Sequence, residues 1–185
     1  MTALAKEKPL TVREFLVWAN QQPSGKFELH DGVIVAMAPE RFGHGQDKRR
    51  IANALEDAIR QAGVPCQAAV DSIGVAINDY TTYIPDALVN CGERLPRNAM
   101  LATNPVIVVE VFSPSSTSRD QVVKMRHYFM LPSVQHYLTV HGEAREIFHH
   151  KRGPDGTFIS ALAGETLRLD PPGIDVSLAG FFDEA

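Results

Sequence analysis

Cysteine and tryptophan are scarce in this chain: two cysteines and one tryptophan in 185 residues. So little cysteine excludes a disulfide-stapled miniprotein, and the absence of a CxxC pair argues against a cysteine zinc site. Cys66 and Cys91 are expected to be free thiols in a reducing compartment. No apolar run reaches the roughly 18–20 residues of a membrane helix, so no membrane association is expected. The opening stretch MTALAKEKPL has no continuous apolar segment, so no signal peptide is expected and a cytoplasmic placement is the default. Repeats and low-complexity tracts are also missing. Positive charge is not in excess: 18 Lys+Arg stand against 22 Asp+Glu, for a net charge of −4. A general nucleic-acid binder is usually basic. Contact with nucleic acid would here require local clusters, or a bound cation, to overcome the overall sign.

What is present is an ordinary globular composition, 44% hydrophobic and 22% charged, which supports one domain over residues 1–185. Thr11 and Glu14 form a capping box ahead of Val12, Phe15, Leu16 and Ala19 at helical spacing. Asp31-Gly32 between two apolar runs predicts a hairpin over residues 27–37. Residues 44–62 carry an apolar stripe of Ile51, Ala54, Leu55, Ala58, Ile59 and Ala62, and Gly63 ends that helix. Residues 64–70, 73–77 and 83–90 read as short strands. PVIVVEVF at 105–112 is too short for a typical helix and rich in valine, so it reads as a central strand covered on both faces. A turn at Ser113, Pro114, Ser115 and Ser116, a helix over 118–130 with Ser118 and Gln121 as a capping pair, and a strand over 134–140 follow. A hairpin over 146–161 and a loop-rich tail with one last strand after Pro171-Pro172-Gly173 complete a mixed α/β sandwich with a mostly β centre.

One charge stands in the wrong place for such a strand. Glu110 interrupts PVIVVEVF, and a buried carboxylate must be paired, protonated, metal-bound or at the strand's open end. Pairing with an arginine is the structural alternative to a functional role. Asp86, after Pro85 in TTYIPDALVN, is a second acid within an apolar strand; it reads either as a turn residue or as a partner to Glu110. Two such carboxylates suit Mg²⁺, and the backbone carbonyl of Val111 is a further candidate ligand. Lys124 lies four residues after Asp120 on one helical face. That spacing reads either as a solvated ion pair or as an ammonium brought over the carboxylates.

Taken together, Pro85-Asp86, Glu110-Val111-Phe112 and the following lysine resemble the PD-(D/E)XK nuclease superfamily. Phe112 stands where the motif has its lysine. FELHDGVIVAMAP, the histidine of GHG, YIPDALV, VVEVFSPSS and the spaced Asp120, Lys124 and Tyr128 resemble the Uma-type group of restriction-endonuclease-like proteins, over about residues 10–170. In that group the lysine has moved to the following helix, the position of Lys124. The resemblance implies an α/β fold with a mixed central sheet flanked by helices and additional β-hairpins. It also implies an endonuclease using Mg²⁺ (or Mn²⁺) on DNA, with a homodimer as the expected partner state. Asp86 and Glu110 would hold the metal, and Lys124 would position the nucleophile or stabilise the transition state.

Auxiliary candidates are Glu28, His44 and Asp120. Glu28 would join the acidic cluster or serve as a cross-strand charge. His44, at a helix start, would meet a phosphate or simply cap and pack. Arg41, Lys48, Arg49 and Arg50 read as a phosphate-contacting patch or as a solvated helix face, and His149-His150 as surface. The competing functions are a non-catalytic binding or interaction module on the same fold, which the net charge and Phe112 suit, and a two-carboxylate sugar hydrolase, which would not need Lys124.

Overall fold

The computed structural model of the chain describes residues 8–112 and 118–182, with only the backbone described for 118–120. Helix α1 (Val12–Ala19) is opened by the predicted capping box: Glu14 N–H donates to Thr11 Oγ1 at 3.2 Å, and Thr11 N–H donates to Glu14 Oε2 at 2.8 Å. Strands β1 (Phe27–His30) and β2 (Val33–Ala36) form the Asp-Gly hairpin. Both turn residues take positive φ, 49° at Asp31 and 79° at Gly32, which is the demand that places Asp-Gly there. Helix α2 (Phe42–Ala62) closes on Gly63 in the left-handed conformation.

The predicted strand over 83–90 is in fact two elements. After β3 (Cys66–Val70) and β4 (Val75–Asn78), β5 (Thr81–Tyr83) ends, the chain kinks through Ile84, Pro85 and Asp86, and β6 (Ala87–Cys91) begins. Proline has no N–H to continue a ladder, so the chain changes sheet at that point. β5 belongs to a four-stranded sheet ordered β2-β1-β5-β4.

β6 belongs to a six-stranded sheet completed by β7 (Pro105–Phe112), β8 (His136–His141), β9 (Glu146–Arg152) and β10 (Phe158–Leu162). Its order is β10-β9-β8-β7-β6-β3, and β7 with β8 is its parallel pair. A parallel pair needs a crossover, and helix α3 (Ser118–Tyr128) supplies it. The tail holds one strand more than expected: β11 (Thr166–Leu169) pairs with β12 (Ile174–Ser177) against α2.

Alternation along β7 sorts its side chains. Ile107, Val109 and Val111 face α2 and the β11-β12 ribbon, meeting Ile51, Leu55, Leu169 and Ile174. Val108 points to the opposite face, toward Tyr128 and Phe129 at the end of α3, and Glu110 follows it there at the pleat's period of two. The strand is covered on both faces, as its valine-rich run implies.

Two expectations are corrected. Cys66 and Cys91 are not free thiols: they stand opposite each other in the β3–β6 register and form a disulfide. Their 25-residue separation gave no hint of that register, and the free-thiol argument for a reducing compartment goes with it. His149 is not a surface residue, because it packs against fully buried His136, with His136 Nδ1 2.8 Å from His149 Nε2. His136 Nε2 lies 2.9 Å from the Pro171 carbonyl and must donate to it, so its Nδ1 accepts the His149 proton and both rings are neutral. No helix is long and apolar enough to cross a membrane among the described residues. The turn residues Ser113, Ser115 and Ser116 lie outside the described residues, as does the side chain of Ser118.

Two tests follow from this packing. Leu55 is fully buried between α2 and the sheet, so Leu55→Ala is expected to destabilise the fold by about 2–5 kcal/mol in urea unfolding. Burial, helped by the neighbouring charged groups, pushes His136 and His149 down to about 4. Histidines neutral in the fold but charged when unfolded stabilise above the ordinary value near 6.5, and that stabilisation fades as pH falls toward 4. Glu110, raised to about 7, works in the opposite direction over part of that range. The contribution is therefore read as a difference: from pH 7.5 to 4.5, a His136→Gln/His149→Gln variant is expected to lose less melting temperature than the parent protein in metal-free buffer. Parallel curves would refute it.

Candidate active site

Four separate segments deliver the charged groups. β7 brings Glu110, the kink before β6 brings Asp86, β1 brings Glu28, and the crossover helix α3 brings Lys124. Glu110 is 6% exposed. Its Oε1 accepts a hydrogen bond from Tyr128 Oη at 2.9 Å and lies 3.4 Å from Lys124 Nζ. The same ammonium is 3.1 Å from Glu28 Oε1 and sits 5.1 Å above the Tyr83 ring. Glu28 Oε1 also accepts the Ile84 N–H at 3.0 Å, which ties it to the kink. The partners of Glu110 are thus a lysine and a tyrosine rather than the arginine of the structural alternative. Lys124 reaches the face of β7 that carries Glu110; the Phe112 ring packs beside His141.

Asp86 is 5% exposed and anchors a second group. Its Oδ2 accepts the Val111 N–H at 2.6 Å, so the amide of Val111 rather than its carbonyl meets this acid. Its Oδ1 lies 2.6 Å from Lys48 Nζ, which also lies 2.5 Å from Glu40 Oε1 and 3.5 Å from Asp71 Oδ2. His44 Nε2 stands 3.8 Å from Asp86 Oδ2, beyond hydrogen-bond reach but within ion-pair reach. Glu40, His44 and Asp86 each present a ligand atom, all within 4.8 Å of one another.

The electrostatics follow from burial and neighbours. Burial pushes the Glu110 carboxyl up to about 7; Lys124 opposes this, while the charges of Asp86 and Glu28 add to it. For Asp86, burial also pushes upward, but His44, Lys48 and the Val111 amide outweigh it and hold the carboxyl below the usual range. Lys124 pays a burial penalty that Glu110 and Glu28 exceed, so its ammonium is held charged. His44 is raised by the Asp86 carboxylate against a burial penalty. Two neighbouring acids with pKa values driven apart are the arrangement found where one carboxyl stays ionised and another exchanges a proton near neutrality.

Sequence reasoning placed Asp86, Glu110, Lys124, Glu28 and His44, and the fold brings all five into this region. Asp120 lies in α3, but its side chain is outside the described residues; the partners found for Lys124 are Glu28 and Glu110. Lys48 corrects the reading of a solvated helix face, since it is 2% exposed. The signal was available: Lys48 precedes Ile51, Ala52 and Leu55 by three, four and seven residues, which is the buried stripe. Glu40 and Asp71 carry no such periodic signal, and only the tertiary fold brings them to Lys48.

A mixed sheet with a helical crossover, its acids gathered where β6 and β7 meet the second sheet, defines a restriction-endonuclease-like α/β protein. The chain belongs to the Uma2 family, described as "Putative restriction endonuclease", whose match spans residues 12–179. It is 29% identical over 171 residues to the uncharacterized protein slr1290 of Synechocystis sp., covering 92% of this chain and 88% of that one. A second uncharacterized Synechocystis protein, sll1609, is 25% identical over 173 residues, covering 92% and 97%. The crystal structure of a putative nuclease belonging to DUF820 from Anabaena variabilis superposes with a TM-score of 0.69 at 15% identity, covering 94% of this chain and 97% of that one.

Removing the central ammonium tests how the second group is held together. Lys48→Met leaves Asp86 buried without its nearest cation and is expected to destabilise by about 3–5 kcal/mol in urea unfolding. Adding Asp86→Asn to that variant is expected to restore part of the loss, and strict additivity of the two changes would contradict the coupling.

Proposed function

We infer that this protein is a divalent-metal-dependent endonuclease that hydrolyses phosphodiester bonds in DNA. The observation that carries the reading is the convergence of Glu110 and Glu28 on the ammonium of Lys124, with Asp86 held on the neighbouring Val111 amide. Membership of the Uma2 family supports it.

The donors fit a hard cation. Carboxylate oxygens suit Mg²⁺ or Mn²⁺, and no thiolate is needed. Charge points the same way. The linked carboxylates Glu28, Glu40, Asp71, Asp86 and Glu110 outnumber the linked ammonium groups of Lys26, Lys48 and Lys124 by two. His44 beside Asp86 offsets part of that deficit, and a divalent ion covers the remainder when the acids are ionised. Lys48 already occupies the side of Asp86 toward Glu40, so Asp86 and Glu110 are the proposed ligands. When bound, such an ion supplies Lewis acidity at the scissile phosphate.

The chain's own groups do the rest. Val111 N–H locks the Asp86 carboxylate, and Tyr128 locks that of Glu110, so neither must reorganise during reaction. Lys124, held charged by two glutamates, offers its remaining N–H to an attacking water or to a phosphate oxygen. In the hydrolysis the attacking water gives up a proton as its oxygen bonds to phosphorus, the P–O bond to the sugar breaks, and the leaving oxygen takes up a proton. A duplex presents two strands, so a homodimer belongs to the proposal.

One observation favours a second reading, a binding module that does not cleave: Lys48 Nζ lies 2.6 Å from Asp86 and supplies a protein cation where a metal would otherwise be held. Cleavage of supercoiled plasmid with Mg²⁺ or Mn²⁺, against EDTA, separates the two. Asp86→Asn and Glu110→Gln are each expected to abolish metal-dependent cleavage, and Lys124→Met to slow it by about 10²–10³-fold, all with unchanged circular dichroism. Full cleavage by Asp86→Asn would overturn the assignment.

A further inference from the structure

One ring joins the crossover helix to the second sheet. Tyr83 ends β5, is 3% exposed and packs in the cluster that holds Val75, Tyr128 and Tyr137. Three residues of α3 converge on it. Lys124 Nζ lies 5.1 Å from the ring centroid, over its face. The Tyr128 ring meets it edge-on at 5.7 Å, and His127 Nδ1 lies 2.7 Å from its hydroxyl. Positions 124, 127 and 128 share one helical face, so a single side chain of β5 fixes how that face sits.

The hydrogen bond between Tyr83 and His127 has one direction. Burial pushes the Tyr83 phenol up to about 12, and burial together with neighbouring His30 holds the His127 imidazole below its ordinary value. A phenol that keeps its proton beside a neutral imidazole donates it, so His127 Nδ1 accepts. The ring is therefore held at both ends, by the β5 backbone and by α3.

Lys124 needs such a wall. Its four-carbon stem is flexible, and its ammonium is a compact charge with three N–H groups. Glu28 Oε1 at 3.1 Å and Glu110 Oε1 at 3.4 Å take two of them. Two carboxylate oxygens leave the ammonium free to pivot about the line between them. A ring face 5.1 Å away removes that freedom. It attracts the cation and fills the space into which the stem would otherwise turn.

We propose that Tyr83, tied by His127, is a positioning residue for the cleavage reaction. It holds the Lys124 ammonium against Glu28 and Glu110 so that the third N–H meets the attacking water or the scissile phosphate. The inference rests on the nuclease reading and adds to it two residues that act through Lys124.

The test uses the full chain with carbon-labelled lysine. The ε-methylene protons of Lys124, assigned by their loss in Lys124→Met, are expected upfield of an exposed lysine's, because they lie over a ring face. Tyr83→Leu is expected to return them to the exposed range and to lower kcat on plasmid with Mg²⁺ about tenfold, with KM unchanged. Tyr83→Phe keeps the ring and loses the tie to His127; His127→Leu loses the tie from the other side. Each is expected to move the signal part of the way and to lower kcat about threefold, the worth of one hydrogen bond. His127→Asn, whose Oδ1 accepts where Nδ1 did, is expected to restore both. A merely structural role for Tyr83 would lower the melting temperature and leave the Lys124 signal in place. An unmoved signal in Tyr83→Leu, or a moved signal with parental kcat, overturns the proposal. If Tyr83→Leu does not fold, Tyr83→Phe and His127→Leu decide by the same two readouts. Asp86→Asn keeps the two readings apart. Cleavage lost in that variant, with the Lys124 signal indifferent to Tyr83→Leu, refutes the positioning alone. A signal moved by Tyr83→Leu, with cleavage intact in Asp86→Asn, supports the placement of the ammonium and refutes the nuclease site.

Discussion

A carboxylate buried in a central strand has to be compensated where it stands, because little water reaches it. Glu110 is in that position, 6% exposed between valines. Isolated, the ionised group would carry a desolvation penalty of several kcal/mol. The fold answers with Lys124 and Tyr128 from the helix that crosses between β7 and β8, and Lys124 in turn recruits Glu28 from the second sheet. The compensation is incomplete, since the carboxyl still sits near 7. A site left short of positive charge in the unliganded chain is one that gains by taking up a cation.

The same parallel pairing that requires a crossover also positions the site. α3 must return across the face of the sheet to let β8 run beside β7. Its last turn buries Tyr128 and Phe129 against Val108 and Tyr137. Lys124 lies one turn earlier on the same face as Tyr128, so anchoring the tyrosine delivers the ammonium to Glu110. The kink at Pro85 does the corresponding work for Asp86. By forcing a change of sheet it places the acid at the junction, where the Val111 amide of the neighbouring strand is available to hold it.

How much of this was legible depended on whether a residue broke a local pattern. Glu110 broke a valine run, and Asp86 followed a proline inside an apolar segment, so both stood out. Lys124 was legible only through the family motif, because an exposed i, i+4 pair would look the same. Lys48 also breaks a pattern, as a charge on the buried stripe of α2, but the stripe legible in the sequence begins at Ile51 and leaves Lys48 among the residues of a solvated face. The Cys66–Cys91 bond and the meeting of Glu40 and Asp71 at Lys48 depend on strand register and loop course. Local spacing carries no record of either. β11 went unseen for a related reason: four residues pairing across a proline-rich turn have too little periodicity to register.

A net charge of −4 and a polyanionic substrate are at odds only if binding is treated as a property of the whole surface. Long-range attraction is screened within about 8–10 Å at ordinary salt, so the potential that a phosphate meets is set locally. Here that potential is the balance among five linked carboxylates and three lysines. With all five acids ionised and no cation the balance would be negative and would repel phosphate; the proposed divalent ion would bring it toward neutrality, with Lys124 beside the proposed reaction centre. Metal loading would then govern substrate affinity as well as chemistry. A non-catalytic nucleic-acid binder would have no reason to keep phosphate out until an ion is present. In a nuclease the same arrangement makes engagement of DNA conditional on the ion that cleavage requires.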